Sequence, residues 1–164
     1  MKIQILADDN TLQKNLMHEH GLSIYLECNN SKCLLDTGAS SVFLQNAKEM
    51  GIDLNEVDFL FISHGHSDHI GGLLTFLKEN SKAKVIIAAN TLHQEYYSLR
   101  KGKRNISLKD DVNAFKDRFI FVEDEWKMGE TIHVFRNTST SYPQPKANKT
   151  LMLMQNNELI QDTF

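Results

Sequence analysis

The sequence predicts a layered α/β fold, and three observations carry that prediction. Apolar runs of strand length alternate with stretches of helical periodicity through the first half of the chain. The second half returns to short runs with strand-like alternation. A length of 164 residues suits one hydrophobic core, so a single domain over 1–164 is expected.

Residues 3–6, 22–28 and 32–35 have the apolar runs or alternation of strands, the last two joined across an Asn-Asn-Ser-Lys turn. After Asp36, Thr37 and Gly38, the segment 40–50 places Val42, Phe43, Ala47 and Met50 at helical spacing. Ser40 or Ser41 can cap its start and Gly51 can end it. Residues 57–62 read as a buried strand. Residues 70–79 read as a helix whose Ile70, Leu73, Leu74 and Leu77 share one face, and 83–89 as another strand. This rhythm implies parallel pairing through right-handed crossovers. Beyond it the pattern predicts a helix over 91–99, a basic loop over 100–104 and a short helix over 108–115. Strands follow at 118–122, 131–135, 150–154 and 158–160, the last two linked by Asn156 and Asn157. The polar stretch 138–148, with Pro143 and Pro145, reads as a long loop.

Composition sets limits on function. With 41% hydrophobic and 24% charged residues the chain resembles an ordinary soluble protein, and a net charge of -3 argues against general affinity for nucleic acid backbones. Acidic residues at Asp8 and Asp9 interrupt the N-terminal apolar run before it reaches the length of a signal peptide or membrane span, so no membrane partner and a cytoplasmic location are expected. Cys28 and Cys33 flank the turn and are expected to face one another on paired strands, as two small buried thiols in a reducing compartment rather than as a disulfide. They lack the second cysteine pair of a structural zinc site.

His64, His66, Asp68 and His69 fall within six residues between a strand and a helix, where an open α/β sheet places its ligands. Neutral imidazoles and a carboxylate suit a borderline metal such as zinc, and Gly65, Gly71 and Gly72 let the backbone turn and approach closely. The competing reading is a solvated loop rich in histidine. A buried strand before it and an amphipathic helix after it favour the metal reading. His18, His93 and His133 stand alone and are read as surface or core residues.

The pattern His64-Gly65-His66-Ser67-Asp68-His69 resembles the H-x-H-x-D-H signature of the metallo-β-lactamase superfamily. Leu34-Leu35-Asp36-Thr37-Gly38 resembles the strand ending in D-T/S-G that accompanies it. The resemblance implies an αββα sandwich in which His64 and His66 serve one metal while Asp68 and His69 serve a second. It further implies two zinc ions in the complete fold, with iron or manganese as alternatives. Asp36 would then buttress the loop without binding metal, or simply hold a turn beside Gly38. Glu19-His20-Gly21-Leu22-Ser23, and Gln161 to Phe164 as the start of a D-x-F segment, resemble the dihydropterin-ribofuranosylaminobenzene-phosphate synthase-like branch. There His20 either lines the site or serves structurally at a strand entrance.

The superfamily completes its site with later histidines and a bridging aspartate, and no histidine follows His133. The chain is therefore expected to hold the N-terminal half to two-thirds of the sandwich and to form a homo-oligomer or pair with a complementing chain. The implied function is hydrolysis of an ester, amide or phosphoester in a small substrate, phosphorylated or not. Metal-bound hydroxide would be the nucleophile and Asp68 would orient the water and carry its proton. The alternative is a truncated, non-catalytic metal-binding or interaction module. The basic residues Arg100 to Arg104 form one local cluster, too little for a nuclease surface.

Overall fold

A computed structural model describes residues 1–28, 31–130, 132–136 and 145–163. Its first sheet has the order β1(Lys2–Ala7), β2(Ser23–Cys28), β3(Ser31–Leu35), β4(Phe59–Ile62), β5(Lys84–Ala88) and β8(Phe119–Val122). The first three strands pair antiparallel, whereas β3, β4, β5 and β8 run parallel. Parallel strands need crossovers. Helix α1(Val42–Glu49) connects β3 to β4, and α2(Ser67–Ile70) with α3(Leu73–Glu79) connects β4 to β5.

Alternation along the strands explains the core. Leu34, Leu60 and Val85 stand in register on one face and share a cluster with Phe43 and Ala47 of α1 and Leu73, Phe76 and Leu77 of α3. Truncating a fully buried side chain such as Phe76 to alanine costs about 3–5 kcal/mol. The opposite face is apolar too: Ile5, Ile24, Leu35, Phe61 and Ile86 form one row across it. Trp126, on the hairpin of β9(Glu125–Met128) and β10(Ile132–Phe135), covers Phe59 and Phe61 at ring distances of 5.9 and 6.4 Å. Near the outer edge, Ile3 and Ile5 stay about half exposed.

A second sheet has the order β12(Glu158–Gln161), β11(Leu151–Gln155), β6(Tyr96–Ser98) and β7(Arg104–Asn105), all antiparallel. Asn156 and Asn157 join β11 to β12 with φ of 51° and 65°, the left-handed pair that a type I′ hairpin turn requires.

Several expectations from sequence are corrected. The helix over 91–99 is a 3-10 turn at Thr91–His93 followed by strand β6, because Tyr96 and Ser98 alternate inward and pair with β11. The short helix over 108–115 is replaced by a 3-10 turn at Asn113–Arg118. The helix over 70–79 is two helices broken at Gly71 and Gly72. A Cβ on Gly72 would overlap the carbonyl oxygens of Thr37 and Ser40, so the break lets the β3–α1 connection press against the loop. Strand β9 was not expected. Of the two serines expected at the start of α1, Ser41 makes no side-chain cap bond, whereas Ser40 Oγ accepts the N–H of Val42, the first helical residue, at 3.4 Å; Glu19 adds to the cap by accepting from the backbone of Ala39 and Ser40. Cys28 and Cys33 are not opposite one another, since Cys28 pairs with Ser31 and Cys33 with Leu26. Both thiols are free, and Cys28 is exposed rather than buried. Most of the predicted loop 138–148 lies outside the described residues; its end forms part of a 3-10 turn at Lys146–Thr150. Among the described residues no helix is long and apolar enough to cross a membrane.

Candidate metal centre

The parallel strands β3 and β4 end side by side, and the residues that follow them build the site. β3 leads into Asp36, which is 1% exposed and adopts a left-handed φ of 56°. β4 leads into Ser63, His64, Gly65 and His66, and His66 is the N-cap of α2. One turn of α2 then brings His69 back beside the two earlier rings. The His64 ring lies 4.5 Å from that of His66 and 4.2 Å from that of His69.

Each imidazole has one nitrogen against a protein oxygen. His69 Nδ1 is 2.8 Å from Asp36 Oδ2, His66 Nε2 is 2.8 Å from Asp162 Oδ2, and His64 Nδ1 is 2.8 Å from Ser63 Oγ. Ser63 has a single hydroxyl proton, and it donates that proton to Asp36 Oδ2 at 2.7 Å. It therefore accepts from His64 Nδ1–H. Asp36 Oδ1 also accepts the Ser63 backbone N–H at 2.8 Å. A ring engaged in this way could hold a metal only through its other nitrogen, which is Nε2 for His64 and His69 and Nδ1 for His66. Asp68, partly exposed, places Oδ2 3.9 Å from His69 Nε2 and 3.5 Å from His20 Nε2. His20 is itself held by Asp9, 2.7 Å from its Nδ1. Among the described residues, no three His, Cys, Asp or Glu side chains converge as a finished metal cage.

The electrostatics divide the rings. Burial, reinforced by the neighbouring His69 and His66, pushes His64 down to about 2, leaving a neutral ring with a lone pair to donate. Burial works against a charge on His69 as well. There the hydrogen bond and charge of Asp36, aided by Asp68, outweigh it and raise the pKa above its ordinary value. Tyr96 is pushed up to about 12 by burial and the charge of Asp162, so its phenol keeps its proton.

The structure thus brings His64, His66, Asp68, His69, Asp36 and His20 together beyond the C-terminal ends of β3 and β4. His18, His93 and His133 are elsewhere on the surface, and His133 bonds Glu125 on the β9–β10 hairpin. Three neighbours escaped the sequence reading. Ser63 directly precedes the first histidine, Tyr96 lay in a stretch read as helix, and Asp162 was visible only as the first residue of the D-x-F segment. Two surface depressions, one beside His93 and Asp110 and one beside Met1 and Cys33, are lined by no residue of the loop.

Comparison with known proteins decides the family. The sequence model of the metallo-beta-lactamase superfamily matches residues 19–145. The chain belongs to that superfamily. A solved structure, Tm1679, described as a metal-dependent hydrolase of the beta-lactamase superfamily, superposes with a TM-score of 0.75 at 32% identity, covering 99% of this chain and 57% of that one. The 7,8-dihydropterin-6-methyl-4-(beta-D-ribofuranosyl)-aminobenzene-5'-phosphate synthase of Methanocaldococcus jannaschii is 28% identical over 135 residues, 76% of this chain and 46% of that protein. A metal-dependent hydrolase of Staphylococcus aureus is 36% identical over 89 residues, 53% of this chain and 36% of that protein. The chain spans about half the length of the first relatives it matches.

Proposed function

We propose that this chain carries the metal-binding loop of a hydrolase acting on a small, phosphorylated substrate, with His64 and His66 serving one divalent ion and Asp68 and His69 a second. One observation supports it above the others: three imidazoles gathered on a single loop, each oriented by a hydrogen bond at one ring nitrogen. Zinc suits this donor set, with iron or manganese as alternatives. Such an ion supplies an activated water nucleophile and stabilises the charge that develops on a carbonyl or phosphoryl oxygen. The chain's own groups do the rest. Asp68 orients the attacking water and takes its proton, while Asp36 and Ser63 keep the rings of His69 and His64 aimed. The similarity to the M. jannaschii synthase supports an anionic small molecule as substrate rather than a nucleic acid or a membrane.

The test is zinc content per chain by elemental analysis, paired with hydrolysis of p-nitrophenyl acetate and bis-p-nitrophenyl phosphate. Zinc uptake that disappears in His66→Ala, together with phosphodiester turnover, supports the reading; uptake unchanged by that substitution overturns it. Zinc uptake without turnover of either probe favours the second reading, a non-catalytic metal-binding module, which the supply of only two loop donors per ion supports.

A further inference from the structure

His64 and His69 are both oriented from the first sheet, through Asp36 and Ser63, whereas His66 bonds a carboxylate of the second. Its partner, Asp162, lies 96 residues along the chain, just past the end of β12 in the second sheet. Both side chains of this pair are 4% exposed. Burying a carboxylate so completely is costly unless hydrogen bonds compensate it, so its position is closely specified. The Asp162 backbone is fixed as well, since its N–H donates to Leu151 O at 3.0 Å at the start of β11. A second element of the same sheet closes on the same ring. Tyr96 of β6 meets His66 edge to face at 5.3 Å and packs so tightly on the loop that a Cβ at Gly65 would lie 2.7 Å from its Cζ.

We propose that Asp162 is a positioning residue: by accepting the His66 Nε2 proton it fixes that ring's tautomer and orientation, so that the second sheet, docked through Asp162 and Tyr96, controls whether His66 can ligate through Nδ1. This deepens the metal-centre reading and rests on it. A carboxylate behind a ligating imidazole raises its basicity and holds its plane, and loss of such a partner typically weakens metal binding by about 10–100-fold.

The experiment uses the whole chain with ¹⁵N-labelled histidine, in wild-type, Asp162→Asn and Asp162→Ala forms. Imidazole nitrogen spectra are recorded without metal, and Co²⁺ affinity is measured by chelator competition. In the wild type His66 is expected as a single Nε2–H tautomer. In Asp162→Ala its signals should report exchange between both tautomers while those of His64 and His69 stay in place, with Co²⁺ binding weakened about 10–100-fold. Asp162→Asn keeps the shape and an acceptor oxygen without the charge, so it should fall between the two and gives a readout should the alanine variant not fold. Unchanged His66 signals in the variants overturn the proposal. Signals of all three rings moving together overturn it as well, since that marks loss of the sheet rather than of one ring's support. A wild-type chain that binds no Co²⁺ would sink the metal-centre reading separately, and the metal-free tautomer spectra would still decide the role of Asp162.

Discussion

Asp36 holds His69 through a 2.8 Å bond between Oδ2 and Nδ1, and the same oxygen accepts the Ser63 hydroxyl that in turn receives His64 Nδ1–H. One buried carboxylate thereby orients two of the three rings, one of them through a relay. Its left-handed φ of 56° is a conformation that aspartate tolerates better than most residues, which lets the chain leave β3 and turn directly under the loop.

Asp36→Asn is expected to weaken zinc affinity by about 10–100-fold without abolishing it, because the amide keeps the shape but not the charge. Competition titration against a chelator checks this. Wild-type affinity in the variant, or an ion found bound to Asp36 itself, would contradict the supporting role.

Acid should weaken metal binding, and His69 sets where. Without metal, its raised pKa means that pairing with Asp36 adds stability that is complete below the ordinary histidine value of 6.5 and is lost as pH rises through the higher folded value. Ligation demands the neutral ring, so metal affinity falls as pH drops through that same raised value. His64, held down at about 2, adds no competing proton in this range. Replacing Asp36 by Asn removes the main interactions raising His69, so the pH of half-maximal affinity should move down. Affinity profiles from pH 5 to 9 that coincide for the two proteins would refute this account.

The fold's first half was legible because local and tertiary demands agree there. Leu34, Leu60 and Val85 sit in short apolar strands, Phe43 and Ala47 on a helical stripe, and Gly51 ends that helix with φ of 68°. The four candidate donors of the loop stood out for a similar reason, falling within six residues. Tyr96 was misread because three residues cannot reveal a period, and pairing with β11 and β7 is what makes them a strand. The role of Asp162 was hidden by distance: nothing local ties it to a histidine so far upstream, and the contact exists only once the second sheet has docked.

Gly72 allows the β3–α1 connection to lie against the loop. A Cβ there would overlap backbone carbonyl oxygens of Thr37 and Ser40 and approach Phe43 Cε1 to 2.6 Å, and backbone atoms yield less readily than side chains. Gly72→Ala should destabilise the chain by about 1–3 kcal/mol, as overpacking does, and lower metal affinity with it because Thr37 adjoins Asp36. Thermal unfolding and metal titration of the variant test both halves; a wild-type melting temperature would show that the contact is not as close as described.

The chain should also self-associate, through the outer face of the first sheet. By register Ile5 stands in one row with Ile24, Leu35, Phe61 and Ile86, so this sheet is apolar on both faces, a pattern usually found where both are covered. Trp126 covers the middle of that face at Phe59 and Phe61, while Ile3 and Ile5 remain 54% and 52% exposed on β1. Among the described residues β1 is also an edge strand, with an outer side that no described strand pairs beside exposed apolar side chains, and the two together favour pairing with a second chain. Sedimentation should show a dimer or larger species that Ile5→Lys shifts toward monomer, since the substitution places a charge on the edge without touching the helical core. Ile5 lies on the face away from α1 and α3, so the melting temperature of the dissociated variant should report the monomer's own stability. A wild-type chain that sediments as a monomer at all accessible concentrations would show that the partly covered face is sufficiently protected by the β9–β10 hairpin alone.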